Sequence, residues 1–292
     1  MRLDGRRESS NVDDRRGMGG GMKAGIGGIG GIILIALFTL LGGGNLGDVI
    51  QNVGTQVVQE QMAGGGATVD TSDTDELAHF SKQILAGTED VWTKLFQEYG
   101  LGTYEAPGLV LFSGSVQSGC GGATAQTGPF YCSADQKVYI DLSFFQNMRK
   151  TLGADGDFAY AYVIAHEVGH HVQYLLGTLS DAHNKMAQLS QTKANEISVR
   201  LELQADFYAG VWAYHDNKMF NSIEDGDIDE ALNAAMKIGD DYLQKKAQGY
   251  EVPESFNHGR SEWRHHWLKK GLTTGDLRKG DSFSPAYGDF MK

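Results

Sequence analysis

Residues 162–177 read YVIAHEVGHHVQYLLG, and the rest of the chain can be ordered around them. Their apolar content predicts a helix over 157–176 that stops at Gly177. Within it His166 and His170 stand four apart, so both imidazoles project from one helix face and can grip one metal ion. Glu167 follows the first histidine and falls beside the metal rather than on it. Catalytic zinc lowers the pKa of its bound water, and a carboxylate in that position removes a proton as the water attacks a carbonyl. A helix surface with accidental histidines is the bland alternative. Val163, Ile164, Val168 and Val172 argue against it, because histidines among them need a buried role.

Catalytic zinc usually takes three protein ligands. The extended metzincin pattern requires glycine at 173 and histidine at 176, where this chain has Gln173 and Leu176. The third ligand is therefore expected to be a carboxylate from a second helix, and two candidates exist. Glu202 lies in ELQAD, which sets Asp206 one turn later on the same face, placed to accept the outer N–H of a ligating histidine. Glu196 lies in NEISVR, which starts like the NExxxD pattern but has Arg200 where that pattern has aspartate. Glu202 is the stronger choice; Glu196 reads as a solvated residue that can pair with Arg200 at i,i+4. One zinc per chain is expected.

Outward from this centre, Thr88 is a candidate N-cap for a helix ending at Gly100, and 109–115 and 137–145 have the composition of strands. A long helix is expected over 184–215, with Leu189 among its apolar positions and Gly210 implying close packing against a neighbour. Another is expected over 228–248, capped by Asp227. The expected fold is α+β, with residues 73–292 as the metal-binding domain.

Residues 24–47, AGIGGIGGIILIALFTLLGGGNLG, carry no charge and are long enough to cross a bilayer as a helix. They are expected to form an uncleaved anchor; a cleaved signal peptide is the rival reading. Residues 1–23 hold six basic and four acidic groups, so the positive-inside rule makes them a cytoplasmic tail and sets the chain beyond the anchor outside the cytoplasm. Residues 48–72 read as a flexible linker. Cys120 and Cys132, close in sequence in a glycine-rich stretch, suit a disulfide in an oxidising compartment. The formal net charge is −12, and only the tail is net basic, so no nucleic-acid partner is expected.

HEVGHH followed by SVRLELQADFYAGVWA (198–213) resembles the bacterial neutral zinc metallopeptidase family, and ExxAD is similar to other gluzincins. RLDGRRESSNVDDRRG (2–17), GPFYCSADQKVYIDLSFF (128–145) and HGRSEWRHHWLKKGLTTGD (258–276) are similar to that family too, so the resemblance spans nearly the whole chain. It implies a membrane-anchored, zincin-like peptidase with His166, His170 and Glu202 as zinc ligands and Glu167 as base. It also implies that 137–145 is the edge strand above the metal cleft. His258 is the best candidate to stabilise the oxyanion, because peptidases of this type often bring in a late histidine or tyrosine. A turn histidine that helps fold the C-terminal segment is the alternative. His171 is expected to be structural. The resemblance says little about substrate; with the domain outside the cytoplasm, a peptide or protein in the cell envelope is expected. Rival readings are a catalytically silent zinc-binding adaptor and a hydrolase of a cell-wall amide.

Overall fold

The computed structural model describes residues 1–17 and 71–284. The chain is α+β. Its sheet has four strands in the order β1 (Val12–Asp14), β2 (Gly108–Phe112), β6 (Lys137–Asp141), β5 (Phe130–Cys132). The first three run parallel, and β5 is antiparallel to β6. A separate hairpin pairs β3 (Ser115–Ser118) with β4 (Gly121–Thr124). GLVLF and the core of KVYID are nearly continuous apolar runs, as strands covered on both faces must be.

Helix α1 (Thr71–Tyr99) is followed, after the strands, by the short α2 (Ser143–Asn147) and then α3 (Asp157–Leu175). Helices α4 (Thr178–Met186), α5 (Gln191–Phe220), α6 (Asp227–Lys237), α7 (Asp240–Gln248) and α8 (Ser261–Thr274) complete the domain. Helix α3 is buried nearly all round, as expected of a helix central to a domain. It packs against α1, α5, α6 and the sheet, with Val168, Val172, Phe158 and Ile164 wholly in the core. Two close approaches set the helix geometry. A side chain at Gly169 would meet the Ala205 carbonyl oxygen at 2.9 Å, so this glycine lets α3 and α5 touch backbone to backbone. Gly210 and Gly271 do the same for α5 and α8: a Cβ on Gly210 would lie 2.3 Å from the Leu268 oxygen. The close packing expected at Gly210 is present.

Several expected boundaries move. Thr88 does not cap a helix; it lies inside α1, where its hydroxyl donates to the Leu85 carbonyl at 2.7 Å. Strand β2 ends at Phe112, short of the expected 115. Strand β6 ends at Asp141, whose carboxylate accepts the Gly114 and Ser143 N–H groups, and Ser143–Asn147 turns helical. Strand β6 is also interior to the sheet, so the free edge next to α3 is β5 and not the 137–145 segment. The helix expected over 184–215 is two helices broken at 187–190, which leaves Leu189 on the surface. The helix expected over 228–248 is likewise two, parted at Gly239, whose Cβ would strike the Ser261 backbone nitrogen at 2.4 Å. Gly226, not Asp227, holds the N-cap position of α6.

Residues 1–17, expected from their charge to be a tail, lie against the domain, and Val12–Asp14 is an edge strand of its sheet. The apolar segment 24–47 falls outside the described residues. Among the described residues no helix is long and apolar enough to cross a membrane.

Candidate metal centre

His166 and His170 project from α3 toward Glu202 on α5, and their ligand atoms all lie within 4.8 Å of one another. Glu202 Oε2 is 3.2 Å from His166 Nε2, and Glu202 Oε1 is 3.3 Å from His170 Nε2. The far side of each ring is already engaged. His166 Nδ1 lies 2.8 Å from Asp206 Oδ1, and His170 Nδ1 lies 2.9 Å from Gln173 Oε1. Both partners are acceptors, so each Nδ1 carries its proton, and a cation that displaced any proton from Nε2 would meet a lone pair of each ring beside the carboxylate of Glu202. Two imidazole lone pairs and a carboxylate converging in a buried site suit a divalent cation, and this donor set is one that zinc takes. The fit is therefore good. Burial opposes charge on His166, but Asp206 and Glu202 outweigh it and lift its pKa to about 10. A cation would satisfy the same carboxylates. Burial also acts against a charged Glu202, whereas His170 and His166 hold it well below the usual carboxylate range.

Asp206, expected from the ELQAD spacing as the outer partner of a histidine, is fully buried and sits at the hub of a network. Around it the structure adds groups that the motif spacing did not single out. Arg264, from α8, donates Nε to Asp206 Oδ2 at 2.8 Å and Nη2 to Oδ1 at 2.9 Å. Tyr162, one turn before His166, donates its hydroxyl to Asp206 Oδ1 at 2.5 Å. The Arg264 guanidinium also comes within 3.8 Å of Glu202. An arginine between Trp263 and Trp267 on a helix that buries both tryptophans was the available signal; it implies a buried carboxylate partner. Gln173, which in the sequence only excludes the metzincin pattern, orients His170 and in turn donates to the Leu201 carbonyl at 2.7 Å.

Glu167 lines the same cavity, about 170 Å³ in volume, as do His258, Arg264 and the metal trio. Burial raises the Glu167 pKa, with His166 and His170 acting against the rise. His258 is buried too, and its support is specific. Asp240, at the start of α7, accepts the backbone N–H groups of Asn257, His258 and Gly259 at 2.8–2.9 Å. It also takes His258 Nδ1 at 3.2 Å. Burial disfavours the charged imidazole, but Asp240 prevails and the His258 pKa is raised. The break at Gly239 is what brings Asp240 to this loop.

Glu196 lies elsewhere, exposed on α5 and bonded to Lys193 at 2.8 Å rather than to Arg200. Arg200 instead reaches the Ser282 carbonyl. His171 faces away from the trio, between the Tyr131 hydroxyl at 2.9 Å and the Glu105 carbonyl at 2.6 Å. Cys120 and Cys132 form a disulfide that ties the β3–β4 hairpin to the end of β5, and Cys120 borders the cavity.

Comparison with known proteins gives related chains but no solved fold. "Uncharacterized protein YpfJ" of Escherichia coli K12 is 45% identical over 289 residues, covering 97% of this chain and 99% of the relative. "Uncharacterized protein Mb2605" of Mycobacterium bovis is 43% identical over 193 residues, 63% of this chain and 64% of the relative. No solved structure matches the chain. The family described as "Putative neutral zinc metallopeptidase" matches residues 1–283, so the chain belongs to that family.

Proposed function

We propose that the protein is a zinc-dependent endopeptidase. The observation that carries this reading is the convergence of His166 Nε2, His170 Nε2 and Glu202 beside Glu167 in one cavity, with both outer imidazole nitrogens already held. Zinc, when bound, would supply a Lewis acid that acidifies water and polarises the substrate carbonyl. Glu167, not a ligand, accepts the proton lost by the attacking water and passes it to the departing amine nitrogen. Its raised pKa suits both halves of that transfer. His258, whose charged form Asp240 favours through the contact at Nδ1, would donate in that form from Nε2 to the oxygen on which negative charge develops. Asp206 and Gln173 hold the two histidines in the tautomer that leaves Nε2 free. An extended peptide can add to the open edge of β5, next to α3.

The disulfide supports a site of action in an oxidising compartment, that is, the cell envelope. Metal analysis combined with turnover of unfolded or quenched peptide substrates tests the reading. Wild type should bind one zinc and cleave, Glu202→Ala should lose the metal, and Glu196→Ala should keep it. Full zinc occupancy in Glu202→Ala, or no cleavage of any peptide by zinc-loaded wild type, would refute it.

A further inference from the structure

We infer that residues 1–17 occupy the same side of any membrane as the metal-site domain, because they are a structural part of it. This rests on the docked N-terminal segment and not on the proposed enzymatic activity. Backbone pairing comes first. Leu109 N–H donates to the Asn11 carbonyl at 2.8 Å, Arg15 N–H to the Leu111 carbonyl at 2.7 Å, and Ser9 N–H to the Lys82 carbonyl at 3.0 Å. Without Val12–Asp14, strand β2 would present an open hydrogen-bonding edge to solvent.

The side chains show that the domain is built to receive this segment. Asp216, on α5, is 1% exposed, and the cation that answers it is Arg6, with guanidinium–carboxylate contacts of 2.8 and 3.3 Å. The guanidinium lies in a slot left by Gly87 in the middle of α1: a Cβ there would sit 2.8 Å from Arg6 Nη2 and 2.9 Å from Asp216 Oδ1. Glycine inside a helix is unfavourable, and here it makes room for Arg6. The Arg6 guanidinium also lies 3.7 Å above the Phe220 ring. A buried carboxylate without its counter-ion is strongly disfavoured, so the domain needs Arg6 in place.

The exit and re-entry points also meet. Arg16 Nη1 donates to the Thr74 carbonyl at 2.7 Å and lies 3.2 Å from Asp75 Oδ1. The chain therefore leaves the domain near Gly17 and rejoins it near Thr71 at one place. A single crossing between those points would put a hydrocarbon layer roughly 30 Å thick between partners that stand about 3 Å apart. Residues 1–17 and the chain from Thr71 onward therefore share one face of any membrane. The positive-inside expectation, which sets Arg2–Arg16 opposite the domain, is at odds with this packing.

Two measurements on full-length protein in native membranes test the inference. Ser10→Cys, exposed on the docked segment, and Glu254→Cys, exposed on the domain, are each treated with a charged, membrane-impermeant maleimide in intact cells and again after permeabilisation. The native cysteines are paired in the structure, and protein without either added cysteine, labelled in parallel, gives the background to subtract. Both sites should behave alike, either labelled together in intact cells or protected together until permeabilisation. Separately, a zero-length carbodiimide should bridge Glu8 to Lys82, whose charged atoms are 3.7 Å apart, as it bridges the neighbours Lys94 and Glu98. Opposite labelling of the two sites overturns the inference. So does absence of the Glu8–Lys82 bridge in protein where Lys94–Glu98 is bridged.

Discussion

Replacing Arg264 with methionine is the sharpest probe of how the metal site is held. The substitution roughly keeps the side chain's length and apolar stem but deletes all three donor nitrogens of the guanidinium. Asp206 then loses both contacts of a bidentate pair while remaining fully buried, retaining only Tyr162 and His166 as partners. Removing one member of a buried ion pair costs about 3–5 kcal/mol, because the other is left as an uncompensated charge. For a domain of this size that corresponds to a drop in melting temperature of roughly 6–20 °C. Asp206 also orients His166, so zinc affinity should fall about 10–100-fold, as it does when the outer partner of a ligating histidine is disturbed. The assay is thermal unfolding by circular dichroism, with zinc and after chelation, on Arg264→Met, Asp206→Asn and the double variant. The double variant should be less destabilised than the sum of the singles, with a coupling of about 1–3 kcal/mol. A melting shift below about 2 °C for Arg264→Met, or strictly additive singles, would show that this network does not support the site.

Glu167→Gln should retain one zinc per chain by metal analysis while peptide hydrolysis falls at least about 10²-fold, since it loses the base but no ligand. His258→Ala should lower kcat by about 10²–10³ with zinc content unchanged, and Asp240→Asn should lower it less; an unchanged kcat in His258→Ala removes the oxyanion role. Gly271→Ala places a methyl group 2.2 Å from the Phe207 carbonyl oxygen, backbone that cannot swing aside, so urea unfolding should show a loss of at least about 1–3 kcal/mol. Opening the Cys120–Cys132 bridge, by reduction or with Cys120→Ser/Cys132→Ser, should lower stability by about 3 kcal/mol, the loop-closure value for a bridge with a sequence separation of 12. An unchanged urea midpoint would show that the hairpin is held without it.

The features legible from the residues alone are local. The four-residue spacing of His166 and His170 puts two rings on one helix face whatever surrounds them, and the same spacing stacks Asp206 above Glu202. The glycine stop at Gly177, with φ of 81°, the apolar strand runs and the disulfide pairing were legible for the same reason: each is set by residues near one another in the chain. Tertiary packing decided the rest. Whether Glu202 or Glu196 meets the histidines depends on which face of α5 turns to α3, and the contact of Gly169 with Ala205 sets that. Arg264 joins the site only because Gly210 and Gly271 let α8 press onto α5, some sixty residues further along the chain. Asp240 reaches His258 only because α6 and α7 part at Gly239, where no apolar period is interrupted. Likewise, charge counting could only make residues 1–17 a basic flank. Their place in the sheet follows from a slot at Gly87 and a buried carboxylate at Asp216, features that exist only once distant helices have packed.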